Sequence, residues 1–115
     1  VQHESHQSGR RWKGGYNTLA DTYGFPDDLD IITPKDRPRI RGIQACLWTE
    51  TTVTQARRDF LTFPRLIALA EAAWTDADRK DYPSFEARLR LHLPRLKARG
   101  LGYYDPFANT PEIKE

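Results

Sequence analysis

Trp48 and Glu50 close the run Gly42-Ile43-Gln44-Ala45-Cys46-Leu47-Trp48-Thr49-Glu50. If the backbone stays extended through Thr49, side chains two apart share a direction, and an indole and a carboxylate leave the segment together. Such a pair suits a ligand with one apolar face and several hydroxyls. The indole offers a broad flat surface to C–H groups, and an ionised glutamate accepts charge-assisted hydrogen bonds from two adjacent hydroxyls. A sugar ring is one such ligand. The same two residues also fit a second reading, a core indole followed by a glutamate that caps the next helix.

Other chemistries lack their parts. There is no glycine-rich phosphate loop, no serine elbow and no cysteine nucleophile with partners. Cys46 is the one cysteine, which excludes an internal disulfide and a thiolate zinc site, and it reads as a small buried filler. His3 and His6 are three apart but have no third ligand beside them, so they read as loop histidines and neither metal nor cofactor is expected. Glu71 reads as half of a structural ion pair or hydrogen bond rather than as a catalytic group. His92 reads as a helix-face histidine rather than a general base.

The elements that must position Trp48 and Glu50 follow from periodicity. Ile43, Ala45 and Leu47 alternate with Gln44, Cys46 and Trp48, and both sides look dry. This predicts a strand over 42–50 in a parallel sheet covered by helices. In barrels of alternating strands and helices, ligands are met at the strand's carboxyl end. Upstream, 1–41 is a connection with one short helix, in which Tyr16, Leu19, Ala20 and Tyr23 recur at helical intervals. Asn17 or Thr18 caps it and it stops near Gly24. Residues 27–41, with Pro34 and Pro38 among charges, read as a surface connection or a single irregular turn.

Downstream, residues 54–75 hold helices that pack on the strand. Thr51, Thr52 and Thr54 offer caps to the first, which runs to about Thr62, and Pro64 opens the second. The stripe Phe63, Leu66, Ile67, Ala70, Ala73 and Trp74 is predicted to face a core. A closing helix over 83–100 starts at Pro83, stops at Gly100, turns Phe85, Leu89, His92, Leu93 and Leu96 inward and bends at Pro94. In the tail, 101–115, the Tyr103-Tyr104 pair is expected to pack back and the polar end to fray.

Composition narrows the class. The 115 residues make one domain at most, with 38% apolar and 30% charged residues, figures that do not suggest disorder. Eighteen basic and sixteen acidic residues, net +2, are interspersed, so nucleic acid and membrane are not expected as partners. No run is long enough to span a bilayer, and the start resembles no signal peptide. Without an initiating methionine, the chain reads as cut from something larger.

Taken together, Gly42 to Glu50, Phe63-Pro64-Arg65-Leu66 and Ala68-Leu69-Ala70-Glu71-Ala72-Ala73-Trp74 closely resemble the last strand and helix of the family-twenty glycoside hydrolases, the beta-N-acetylhexosaminidases. The resemblance runs back through Gly14-Gly15-Tyr16, Leu19, Tyr23 and Pro26. It runs forward through Phe85, Arg88-Leu89 and Leu93-Pro94-Arg95-Leu96 to Gly100 and Tyr103. It implies an α/β fold, the carboxyl-terminal fragment of a (β/α)8 barrel, mostly helical as it stands. It also implies a retaining, substrate-assisted hydrolysis of terminal N-acetylhexosamine residues of glycans or chito-oligosaccharides, in which the substrate's acetamide attacks the anomeric carbon. The Asp-Glu pair that drives this chemistry has no match here, so no catalytic residue is assigned to this chain. Trp48 resembles the indole of the terminal-sugar subsite and Glu50 the carboxylate gripping its outer hydroxyls; Arg65 and Glu71 match structural positions. The chain's main partner is then the upstream remainder of the barrel. The alternative is a degenerate or excised helical module serving binding or assembly.

Overall fold

Four helices make up the regular structure of residues 17–49 and 52–108, the parts of the chain that the computed structural model describes. They are α1 (Leu19–Gly24), α2 (Gln55–Thr62), α3 (Arg65–Trp74) and α4 (Tyr82–Ala98), with 3-10 turns at Arg37–Arg39 and Ala77–Arg79. Each long connection begins or ends on a residue chosen for it. Thr18 caps α1 through a reciprocal box: its hydroxyl accepts from Asp21 N at 3.1 Å while the Asp21 carboxylate accepts from Thr18 N at 2.7 Å. Thr54 accepts from Arg57 N to open α2, and Asp81 accepts from Ser84 N to open α4, both at 3.1 Å. Pro83 sits in the first turn of α4, where its missing donor costs nothing.

The far end of α4 closes on Gly100, whose φ of 73° suits glycine. Gly100 N donates to Lys97 O and Leu101 N to Leu96 O, each at 3.0 Å, a Schellman stop that satisfies two terminal carbonyls. The helix continues through Pro94 to Ala98. Pro94 is exposed, so the carbonyl left without a donor one turn back lies on the side open to water.

The core gathers Leu19 and Tyr23 of α1, Ala68 of α3, and Phe85, Leu89, Leu93 and Leu96 of α4. Tyr23 stacks on Phe85 at 4.8 Å and meets Tyr82 edge-on at 5.9 Å. Its hydroxyl accepts from Asp81 N at 3.0 Å, so the polar tip of a buried ring is satisfied. Ala68, fully buried, has the small side chain that lets α1 approach α3 closely. The tail packs back as its aromatic pair predicts: Tyr104 N donates to Phe63 O at 3.0 Å, the Tyr104 ring meets Phe60 edge-on, and Arg90 lies 3.7 Å over the Phe107 ring.

Two charged groups tie distant segments together. Arg65, 7% exposed, donates to Asn17 O at 2.6 Å, Thr18 O at 3.3 Å and Thr22 Oγ1 at 2.7 Å. It therefore clamps α1 onto the start of α3. Lys80 pairs with Asp27 at 2.6 Å and donates to Phe25 O at 3.1 Å, and Arg37 pairs with the same carboxylate. This holds the 25–40 connection against the α3–α4 junction.

Three expectations need correction. The stripe on α3 divides: Phe63 and Ile67 pack on the core, but Leu66, Ala70, Ala73 and Trp74 are exposed, and the buried positions are Arg65, Ala68 and Ala72. Apolar periodicity marks a face that avoids water, and here it is the small-residue face that meets α1. The strand expected from Gly42 is not formed among the described residues: the run has no ladder, because no described strand lies beside it. Lacking sheet neighbours, it is not dry on both sides, and Cys46, expected as buried filler, is exposed.

Candidate functional site

The unpaired run carries Trp48. Gln44, Ala45, Cys46 and Trp48 are exposed, while Ile43 and Leu47 are half-buried, so only two of its side chains turn inward. Consistent with this, the Gln44 amide reaches the Cys46 sulfur at 3.8 Å. Gly42 and Ile43 share a hollow with Ala72, Ala73 and Thr75 near the end of α3, and Gln44 shares another with Leu69 farther back along it.

Trp48 is 70% exposed. The core-indole reading of this residue does not hold in this chain, and the broad apolar face is available to a ligand or to another surface. Immediately beyond, Thr52 N donates to Thr49 O at 3.0 Å. Glu50, the other expected site residue, lies outside the described residues, as do His3 and His6. Among the described residues no group of three His, Cys, Asp or Glu side chains stands where it could hold a metal ion.

The remaining candidates have structural work. Glu71 receives a two-pronged hydrogen bond from Arg88, one contact at 2.7 Å, and this bond raises the Arg88 guanidinium above its ordinary range. The ion pair expected for Glu71 is therefore present. His92 borders a hollow with Phe63, Ile67 and Leu96, flanked by Arg95 and Arg99, with no carboxylate lining it to make a base of the imidazole. Burial pushes the Asp27 carboxyl up, but the hydrogen bonds and charges of Lys80 and Arg37 outweigh it and hold Asp27 below the usual carboxylate range. No local motif announces this cluster: its members are separated by ten and forty-three positions, and only the fold joins them.

Comparison with known proteins places these features in a family. Residues 1–77 match the model of glycosyl hydrolase family 20, catalytic domain. The chain is 37% identical over 99 residues to the beta-hexosaminidase of Porphyromonas gingivalis, covering 85% of this chain. It is 33% identical over 87 residues to the beta-N-acetylhexosaminidase of Cellulomonas fimi, covering 75% of this chain. It spans only 13% and 17% of the length of those two relatives.

Solved structures agree. The exo-beta-N-acetylglucosaminidase of Vibrio harveyi, determined in complex with N-acetylglucosamine, matches with a TM-score of 0.73 and 36% identity over 87% of this chain and 16% of its own. The beta-N-acetylhexosaminidase of Streptomyces coelicolor matches with a TM-score of 0.69 and 31% identity over 91% of this chain and 20% of its own. These are barrel enzymes, whereas the described part of this chain is helical. With two thirds of its length inside the family's catalytic-domain model and curated relatives above 30% identity, the chain belongs to glycosyl hydrolase family 20.

Proposed function

We propose that this chain is the carboxyl-terminal part of a beta-N-acetylhexosaminidase barrel, and that the complete protein removes terminal, non-reducing N-acetylhexosamine residues from glycans or chito-oligosaccharides. In this reading the run 42–50 is the last barrel strand, Trp48 stacks on the terminal sugar and Glu50 grips its outer hydroxyls. The reaction retains anomeric configuration: the substrate's acetamide carbonyl attacks the anomeric carbon as a glutamate protonates the leaving oxygen and an aspartate orients the amide. Both acidic groups belong to the fourth strand, in the remainder of the protein, so this piece shapes the subsite and performs no proton transfer.

The observation that carries the reading is the state of Trp48, an indole 70% exposed on a run outside any helix or ladder in a chain of this family. A large apolar ring held in water is costly to leave idle, and a sugar's C–H face is the surface it fits. The test is hydrolysis of nitrophenyl N-acetylglucosaminide by the full-length protein and by residues 1–115 alone. Turnover is expected from the former and none from the latter. Turnover by the isolated chain contradicts the assignment of the proton donor to the missing part.

A further inference from the structure

Toward the end of α4, His92, Arg95 and Arg99 follow one another at helical intervals of three and four and border a hollow of about 500 Å³. Its apolar lining comes from Phe63, Ile67, Leu96 and Leu101. Backbone bonds hold these walls in place. The stop at Gly100 folds Leu101 back through its bond to Leu96 O, and Tyr104 N, bonded to Phe63 O, ties the tail to the residue just ahead of α3. The charges beside the hollow are not balanced. Earlier on the same helix Arg88 pairs with Glu71 and Arg90 with Glu86, whereas Arg95 and Arg99 enter no ion pair among the described residues. Basic side chains do complement the dipole at a helix's carboxyl end. Lys97 answers that need from outside the hollow, so the dipole does not explain why both arginines flank an apolar lining.

We propose that this hollow binds an amphiphilic carboxylate, a medium-length acyl chain carrying one anionic head. The volume lies within the range of about 300–1,000 Å³ found for small-molecule sites. The acyl chain displaces water from Phe63, Ile67, Leu96 and Leu101, which is the favourable part of its burial. The head accepts from Arg95 and Arg99, whose planar forks match the two oxygens of a carboxylate, and the His92 ring offers a further N–H. Other ligand classes fit less well. Two permanent positive charges oppose a cation, and a small hydrophilic anion or a free sugar would leave the apolar lining uncovered. No described residue of the run that carries Trp48 lines this hollow, so its occupancy stands or falls independently of the sugar subsite.

Isothermal titration calorimetry of the full-length protein with octanoate, 1-octanol and acetate separates the two halves of the recognition. Octanoate is expected to bind saturably at one site, 1-octanol about tenfold more weakly for want of the charge, and acetate without measurable heat for want of the chain. Replacing both arginines, Arg95→Gln with Arg99→Gln, should weaken octanoate about tenfold, the product of roughly threefold for each exposed charge contact. The same double variant should leave 1-octanol unchanged, and added salt should narrow the gap between octanoate and 1-octanol. Leu101→Asp, which sets an acid against the lining, should weaken both long-chain ligands. Absence of octanoate binding by the full-length protein overturns the proposal. Equal octanoate affinity in the double variant overturns it too, because the carboxylate is then held elsewhere. Acetate binding as tightly as octanoate would reduce the hollow to a patch of charge, and overturns it as well.

Discussion

Removing the Arg65 side chain tests how the helical part is held together. Arg65 is 7% exposed and serves three acceptors, Asn17 O, Thr18 O and Thr22 Oγ1. Asn17 is exposed and recovers a water partner on truncation, whereas Thr18 and Thr22 are half-buried. Thr18 O keeps Thr22 N and Thr22 Oγ1 as donors, so the loss is that of hydrogen bonds to a charged group, about 1.5–3 kcal/mol; with the buried packing of the side chain also gone, Arg65→Ala should destabilise the chain by roughly 3 kcal/mol. With about 4–8 °C per kcal/mol for a small domain, the melting temperature drops by roughly 12–24 °C. Arg65→Lys keeps the charge but loses the planar fork, and should fall between parent and alanine variant. The assay is thermal and urea unfolding of residues 1–115, followed by far-ultraviolet circular dichroism. An alanine variant within about 0.5 kcal/mol of the parent, the range of an ordinary surface change, would refute the clamp.

Further predictions concern the other ion pairs. Asp27 is held below the usual carboxylate range in the folded chain. Its contribution to stability is therefore complete above the ordinary unfolded value of about 3.9 and is lost as pH falls through the lower folded value. Unfolding measured across acidic pH should show a steep loss in the parent and a shallower one in Asp27→Asn; identical acid limbs would contradict the pairing with Lys80 and Arg37. For Arg88, more than half exposed in its pair with Glu71, replacement by alanine should cost less than about 1 kcal/mol and less still in high salt. A loss above about 2 kcal/mol in urea unfolding would show that this pair is more than a surface brace.

The local punctuation was legible because its physics is local. Thr18 and Thr54 as caps, Pro83 in a first turn and Gly100 at a stop each answer a need of the four residues around them. The inward face of α4 was equally plain, since Phe85, Leu89, Leu93 and Leu96 meet helices of this same chain. The run from Gly42 and the stripe through Trp74 carry the pattern of buried elements for a good reason: their alternation and periodicity describe surfaces that want a sheet. Sequence pattern reports that demand but not whether the chain supplies the partner, and here the described residues do not. Arg65 was legible only as a family position; its three acceptors lie more than forty residues upstream. At the candidate site, Trp48 could be named from residue type and spacing, and its exposure in this chain leaves the indole face open to a ligand or to another surface.

Replacing Trp48 with alanine in the full-length protein bears on the central claim most directly. A sugar covering half of an indole that buries about 150–250 Å² removes roughly 100 Å² of apolar surface from water, worth about 2.5 kcal/mol. On that basis kcat/KM for nitrophenyl N-acetylglucosaminide should fall about 70-fold, with the melting temperature unchanged. An unaltered kcat/KM in a folded Trp48→Ala protein would contradict the placing of this indole against the sugar.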